Sequence, residues 1–266
     1  MKLNYRPEID GLRAIAVLAV LFYHAEFIFS YGPIVNEKFL KGGYLGVDIF
    51  FVISGYLISK IILKELIVEK FSFKNFYLRR ARRLLPALFI VIIFSLPLSW
   101  IYLMPKEMQD YALSVITSLL FGSNFLFWSE NNYFATESLL RPFLHTWSLA
   151  LEEQFYLIFP ITLVLLWNFL RKKIIIIFIT LFILSILLAQ YLSLSSPETS
   201  FYLFPTRAWE LLAGAIIAKL EIDKKNENKK LSKFIPFFGL LLIFLSFIII
   251  NENSIHPSFI TLIPII

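Results

Sequence analysis

The 266-residue sequence contains no cysteine and only three histidines, at positions 24, 145 and 256. The absence of cysteine excludes disulfide bonds, thiolate nucleophiles, cysteine-ligated zinc and iron–sulfur clusters. Three histidines so far apart in the sequence do not predict a histidine-rich metal site. We therefore expect no metal site and no permanently bound cofactor.

Charged residues are also scarce, at 17% of the chain, whereas apolar residues make up 58%. Ordinary soluble domains contain about 25% charged and about 45–50% apolar residues. Several runs also reach the roughly 18 apolar residues of a membrane-spanning helix. The sequence predicts a polytopic integral membrane protein of the all-α class. In such a protein a net charge of +6 is typical of basic cytoplasmic loops, so we expect no nucleic-acid partner.

The apolar runs predict a helical bundle with about seven to eight complete spans and an incomplete last one. The last run starts near Pro257 and stops at Ile266, so we expect residues 1–266 to form a single, incomplete transmembrane domain. The predicted complete spans cover approximately residues 13–32, 43–63, 86–104, 147–170, 174–194, 208–221 and 235–250.

Three basic clusters, at residues 79–83, 171–173 and 224–233, orient these spans. Cytoplasmic loops are enriched in Lys and Arg, so all three clusters and the N-terminus are predicted to lie in the cytoplasm. Residues 105–146 then begin and end outside. The weaker apolar run at 111–128 is therefore predicted to be re-entrant, which is tolerated only where protein or water satisfies its backbone.

Two ionisable residues lie in the first apolar run, where such residues are costly and usually mark function. Arg13 and His24 are eleven residues apart, which places them within about 20° of one helical face and about 16 Å apart along the axis. We expect Arg13 near the cytoplasmic surface and His24 deep in the membrane. The alternative is an arginine that reaches the membrane surface and a histidine packed against neighbouring backbone.

The second span carries one acid and a pair of small residues. Asp48 is predicted to be an acid stabilised by the helix N-terminus. Ser54 and Gly55 are predicted to allow close helix packing, with a direct ligand contact as the alternative.

Four arginines follow the second span within five positions. They are explained by the stop-transfer role of a basic cluster. Guanidinium groups also bind phosphate bidentately, so the cluster is in addition a candidate site for an anionic ligand. The four residues are Arg79, Arg80, Arg82 and Arg83.

Further polar residues lie close to the later spans. If helical, His145 and Glu152 share one face, because they are seven residues apart. Glu152 and Glu153 cannot both face lipid cheaply, so at least one is expected to point inward. Arg207 and Glu210 have the i, i+3 spacing of an intrahelical ion pair, for which we expect a mainly structural role.

The strings that carry these residues resemble the membrane acyltransferase-3 family, the integral membrane O-acyltransferases that modify bacterial surface glycans. They occur in family order and together cover about residues 5–215. The strings are YRPEIDGLRAIAVLAVLFYHA from Tyr5, GGYLGVDIFFVISGYLIS from Gly42, RRARRLLP from Arg79, HTWSLALEEQFY from His145 and RAWELLAG from Arg207.

This resemblance implies roles for individual residues. The family's R-x10-H signature, regarded as catalytic, falls on Arg13 and His24. Its basic block, associated with acyl-CoA, falls on the four arginines at 79, 80, 82 and 83. We assign acceptor binding to His145, Glu152 and Glu153.

Together the residues and the resemblance predict transfer of an acyl group, most simply acetyl, from cytoplasmic acyl-CoA to a hydroxyl of a cell-surface or lipid-linked glycan. A neutral imidazole suits the general base for a hydroxyl, and His24 serves either as this base or as a transient acyl carrier. The predicted location is the bacterial inner membrane. A flippase for a lipid-linked sugar and an inactive truncated scaffold are the alternatives. Acetyl-CoA binding distinguishes the enzyme from the flippase.

Overall fold

The computed structural model describes residues 6–25, 28–31, 35–38, 40–130, 141, 143–223, 234–251 and 253–265. These residues are helical apart from short turns and one hairpin. Its strands β1 (Ile28–Tyr31) and β2 (Val35–Lys38) pair antiparallel, with Ile28 opposite Lys38 and Tyr31 opposite Val35. The α-helices are α1 (Pro7–His24), α2 (Gly46–Ile67), α3 (Phe73–Tyr102), α4 (Pro105–Leu119), α5 (Ser123–Glu130), α6 (Thr146–Leu170), α7 (Ile174–Ser195), α8 (Pro197–Tyr202), α9 (Phe204–Asp223) and α10 (Ile235–Ile249).

Three described helical segments are long and apolar enough to cross a membrane: Gly43–Ile67, Phe73–Tyr102 and Thr146–Ser195. The last contains 50 residues, and a 3₁₀ turn at Arg171–Lys173 separates its two helices, α6 and α7. Large apolar side chains lie on the surface, including Phe94 and Trp100, which are 71% and 77% exposed. Such a surface is typical of a protein whose helices face lipid. The structure is consistent with the predicted membrane helical bundle, and the number of spans stays a prediction.

The first helix, at Pro7–His24, begins and ends earlier than the predicted span at 13–32. It ends at His24, where the Ala25 N–H donates to the Leu21 carbonyl at 2.9 Å, and residues 28–31 form β1 instead. Ile, Phe and Tyr in that strand favour extended backbone. The following Gly-Pro pair in the sequence is a strong turn signal. His24 therefore lies at the end of α1 and not within a longer helix.

Two further boundaries differ from the predictions. The third helix begins at Phe73, so the arginines at 79–83 lie inside α3 and not in a loop before it. The run after Pro257 forms a 3₁₀ helix at Phe259–Leu262 and not an α-helix, and its place in the membrane stays a prediction. Prolines at 257 and 264 flank this turn, and proline lacks the N–H that a continuing helix needs.

The predicted re-entrant run at 111–128 is divided between α4 and α5. The chain turns at residues 120–122, and Phe121 has a positive φ of 53°. The Gln154 side chain of α6 donates to the Phe121 carbonyl at 3.0 Å. A side chain thus satisfies backbone at the helix break, as a break within a membrane requires. The position of this run relative to the bilayer stays a prediction.

Contacts divide the chain into two compact units. The first contains Met1–Leu63, Leu170–Phe201 and Pro205–Ile266, and the second contains Lys64–Phe169 and Tyr202–Phe204. In the second unit Leu88, Tyr111 and Phe143 form a buried apolar cluster. The prediction of a single transmembrane domain stays a prediction.

In the first unit, small residues allow α1 to pack closely against the start of the second span. Ala16 and Ala19 are buried. A Cβ atom on Gly43 or Gly46 would lie 2.4 Å from the carbonyl oxygen of Ala19 or Ala16, respectively. Such small-residue contacts are common between membrane helices. These contacts hold α1, the helix that ends in His24, against the start of the second span.

A second close contact joins α2 to α9. A Cβ atom on Gly55 would lie 1.9 Å from the Leu211 carbonyl oxygen, and one on Gly214 would lie 2.0 Å from the Val52 carbonyl oxygen. The predicted packing role of Gly55 is confirmed, because the two backbones touch at this crossing.

Substituting Gly55 with alanine is expected to destabilise the protein by about 1–3 kcal/mol, because the added methyl group forces two backbones apart. Thermal unfolding in detergent measures this loss. Gly239→Ala in α10 is the matched control, since a Cβ there meets nothing within 4 Å and alanine is the better helix former. Equal unfolding temperatures for the two variants would contradict the close crossing.

Candidate active site

The candidate catalytic histidine, His24, is the last residue of α1 and is exposed. Its Nδ1 lies 2.8 Å from the carbonyl oxygen of Val20, one turn earlier. A carbonyl only accepts hydrogen bonds, so Nδ1 carries the proton and donates it. In the neutral ring, Nε2 then holds the lone pair that a general base or an acyl carrier requires.

Arg13 lies on the same helix, as predicted, but does not meet His24. It is half-buried, and its Nη1 donates to Asp10 Oδ1 at 3.2 Å. Eleven residues of helix separate the two backbone positions by about 16 Å. The structure therefore supports one helix carrying both residues, without direct contact between their side chains.

A row of aromatic rings runs from His24 towards the interior of the first unit. The ring of Tyr23 lies 5.0 Å from that of His24 and 5.5 Å from that of Tyr44, both edge-on. The Tyr44 ring lies 5.0 Å from the ring of His256. Edge-to-face pairs at these distances are favourable, so the row packs the surroundings of His24 against His256.

His256, whose side chain is 9% exposed, contacts a fully buried ionic cluster centred on Arg207. The Nη1 of Arg207 donates to Asp48 Oδ1 at 2.6 Å and to Glu210 Oε1 at 2.9 Å. Its Nη2 lies 3.1 Å from His256 Nε2, and its Nε donates to the Phe201 carbonyl at 3.2 Å. The predicted pair of Arg207 and Glu210 is confirmed, but it is part of a larger network.

Sequence reasoning missed Asp48 and His256 as members of this cluster. An acid inside an otherwise apolar span was the available signal for Asp48. Two buried acceptor atoms, Asp48 Oδ2 and Glu210 Oε2, have no hydrogen-bond partner within the described part of the chain. In that same part, no group of three His, Asp or Glu side chains is arranged to hold a metal ion.

The hydrogen bonds of His256 identify its protonation state. Arg207 can only donate, so His256 Nε2 accepts, and Nδ1 donates to Thr261 Oγ1 at 3.1 Å. Burial, and secondarily the Arg207 guanidinium, hold the pKa of His256 well below its usual value. Asp48 Oδ1 lies 3.6 Å from Nε2, but the pKa stays low because burial disfavours the charged ring.

This histidine predicts a loss of stability in mild acid. As pH falls below about 6.5, unfolded His256 binds a proton that the folded protein excludes, so unfolding becomes more favourable. We expect the unfolding temperature in detergent to fall between about pH 7.5 and pH 5.5, and to fall less in His256→Gln. An identical pH dependence for both proteins would show that His256 is not the titrating group.

In the second unit, the arginine block occupies the first turns of α3. Arg79 Nη2 donates to Glu65 Oε1 at 3.0 Å, and the Arg80 guanidinium lies 4.1 Å over the ring of Tyr156. Arg82 and Arg83 are exposed, and no ion pair joins either to another described residue. Two cations thus remain available to a ligand.

The arginine block lies beside the middle of α6. Tyr77, one turn before Arg80, donates from its hydroxyl to the Leu157 carbonyl at 3.1 Å. Glu153 is half-buried and lies within electrostatic range of Arg80. The structure therefore brings together Arg80, which is predicted to bind acyl-CoA, and Glu153, which is predicted to bind the acceptor.

The other two candidate acceptor residues are separated by the start of α6. Tyr156 donates from its hydroxyl to Glu152 Oε2 at 3.3 Å. His145 is exposed and precedes the helix, which begins at Thr146. The shared helical face of His145 and Glu152 was predicted on condition that both are helical, and this condition is not met, because a turn at 143–145 leads into α6. The acceptor role of these residues stays a prediction.

Comparisons with known proteins identify the family to which this sequence belongs. A family model described as an acyltransferase domain matches residues 6–265. A Listeria monocytogenes protein named peptidoglycan O-acetyltransferase OatA is 38% identical over 221 residues, 81% of this chain and 34% of its own length. Staphylococcus aureus O-acetyltransferase OatA is 32% identical over 244 residues, 89% of this chain and 39% of its own length.

A protein of S. aureus strain MSSA476 is 37% identical over 265 residues, 95% of this chain and 42% of its own length. The chain thus spans about two fifths of the curated relatives it matches. No solved structure gives a significant match. Because the family model covers nearly all of the sequence, the chain belongs to the acyltransferase-3 family of O-acyltransferases.

Proposed function

We propose that the protein transfers an acetyl group from acetyl-CoA to a sugar hydroxyl of a cell-surface glycan. The hydrogen bond from His24 Nδ1 to the Val20 carbonyl, at 2.8 Å, carries this proposal, because it leaves Nε2 as the basic atom. Relatives named as O-acetyltransferases support acetyl as the group transferred. The relative named for peptidoglycan supports that polymer as the acceptor.

The reaction needs only one basic atom. In the first form, His24 Nε2 takes the hydroxyl proton while the sugar oxygen attacks the thioester carbonyl. The C–S bond then breaks, and the CoA thiolate takes the proton back from the imidazolium. In the second form, Nε2 itself attacks the thioester carbonyl, the C–S bond breaks, and CoA leaves as its thiolate. The acetyl-imidazolium then passes its acetyl group to the sugar oxygen, the hydroxyl proton goes to the CoA thiolate, and neutral His24 is restored.

The donor is proposed to bind through its phosphates. CoA carries several phosphate oxygens, and arginine pairs with phosphate in a bidentate geometry. Arg82 and Arg83 are exposed. Arg79 and Arg80 precede them, and their guanidinium groups contact Glu65 and the ring of Tyr156, respectively. The acceptor is assigned to His145, Glu152 and Glu153.

The proposed setting is the bacterial inner membrane with a cytoplasmic N-terminus. The basic clusters at residues 79–83, 171–173 and 224–233 support this orientation, because Lys and Arg are enriched in cytoplasmic loops. Membrane lipid, acyl-CoA and the glycan are then the protein's partners.

Acetyl-CoA binding to the detergent-solubilised protein tests the proposal. Arg82→Ala/Arg83→Ala is expected to weaken binding about tenfold or more, because each charge-assisted contact contributes about 1.5 kcal/mol or more. Lys70→Ala/Lys74→Ala removes two exposed cations of the same unit and is expected to bind normally. Absence of saturable binding to the folded wild type would favour a flippase, and equal losses in both variants would remove the arginines from the donor site.

A further inference from the structure

A cavity in the first unit lies where α7 begins and α9 ends. Its volume is about 440 Å³, and it is lined by Arg171, Lys172, Ile175, Lys219 and Asp223. Sites for small molecules commonly have volumes of about 300–1,000 Å³. This α7–α9 cavity contains none of the residues assigned to acyl transfer.

The charges of the α7–α9 cavity favour an anion. Three of its lining side chains are cations and one is a carboxylate. That carboxylate is engaged, because Lys219 Nζ donates to both oxygens of Asp223, at 2.6 and 2.7 Å. Lys172 is exposed and forms no ion pair with any residue in the described ranges. The cavity therefore keeps a net positive charge.

The surroundings of the cavity are apolar. Ile175 lines it, and the next residue of α7, Ile176, is 60% exposed. Ile179, one turn after Ile175, is 41% exposed, and on α9 Leu220, one turn before Asp223, is 44% exposed. A ligand at this position meets cations at one end and an apolar helix surface at the other. That combination matches an amphiphile better than a soluble phosphate.

We propose that the α7–α9 cavity binds the phosphate headgroup of an anionic phospholipid, with its acyl chains against α7 and α9. Basic pockets between membrane helices on the cytoplasmic side are suited to such headgroups. The predicted cytoplasmic position of residues 171–173 agrees with this ligand. The proposal does not depend on the acyl-transfer reaction.

Native mass spectrometry of the detergent-solubilised protein, titrated with phosphatidylglycerol, tests the proposal. We expect saturable lipid adducts with the wild type, and about fivefold weaker binding by Lys172→Ala, since one basic residue near lipid contributes about 1 kcal/mol. Lys173→Ala is the matched control. Lys173 is the adjacent exposed cation but does not line the cavity, and its variant should bind like the wild type.

Two further ligands separate the possible sources of the phosphate. Phosphatidylcholine with the same acyl chains should not form saturable adducts, and CoA should not displace phosphatidylglycerol. Equal losses in Lys172→Ala and Lys173→Ala would overturn the proposal in favour of general surface attraction. Lys172-dependent binding of CoA without binding of phosphatidylglycerol would overturn it in favour of a soluble ligand.

Discussion

Replacing His24 with alanine is expected to reduce acetyl transfer from acetyl-CoA by about 10²- to 10⁴-fold, the usual contribution of a positioned general base. The variant loses Nε2, the atom that either removes the hydroxyl proton or carries the acetyl group. The last turn of α1 keeps its backbone hydrogen bond from Ala25 to Leu21, so membrane insertion should be normal. Alkali-labile acetate on the glycan, formed in membranes given labelled acetyl-CoA, measures the loss.

Leu21→Ala is the matched control for this experiment. Leu21 lies in the same last turn of α1 and is 53% exposed, so its truncation should leave transfer near the wild-type rate. Wild-type transfer by His24→Ala in membranes with normal protein levels would remove His24 from the mechanism.

A separate measurement distinguishes the two roles of His24. When labelled acetyl-CoA is supplied without an acceptor, a carrier accumulates label on the wild-type protein, and His24→Ala does not. A general base leaves both proteins unlabelled. The same pair of proteins thus assigns the role as well as the residue.

Sequence patterns located the long apolar helices because a membrane span requires a run of about 20 apolar residues. The predicted range 147–170 corresponds to α6 at Thr146–Leu170, and 235–250 corresponds to α10 at Ile235–Ile249. The apolar run alone did not locate the end of α1, because it continues into Ile28–Tyr31, which forms a strand and not a helix.

The site was predictable where its chemistry lies within one helix. The spacing of Arg13 and His24 in α1, and of Arg207 and Glu210 in α9, follows from helical geometry. The distant partners of Arg207 were not predictable, since Asp48 is 159 residues away and His256 is 49 residues away. Such contacts depend on the Gly55–Gly214 crossing, which a single sequence does not specify.

Replacing Arg207 with methionine is expected to destabilise the protein by about 3–5 kcal/mol, the usual cost of removing one partner from a buried ion pair. Methionine fills much of the space but leaves the carboxyl groups of Asp48 and Glu210 buried without their cation. It also leaves the carbonyl of Phe201 without the donor at 3.2 Å. Thermal unfolding in detergent measures the effect, and Arg82→Met, at an exposed arginine, should change stability by only about 0.5 kcal/mol.

A double variant tests whether the loss arises from the buried charges. Arg207→Met/Asp48→Asn removes one of the two acidic groups that hydrogen-bond to Arg207, so it should be more stable than Arg207→Met alone, although Asp48→Asn by itself is expected to be destabilising. Such non-additivity is expected for residues in one network. Additive losses would show that Arg207 acts through its packing alone. If the double variant is more stable than Arg207→Met, the contact between α2 and α9 is stabilised by electrostatic attraction as well as by the close packing of the glycines at their crossing.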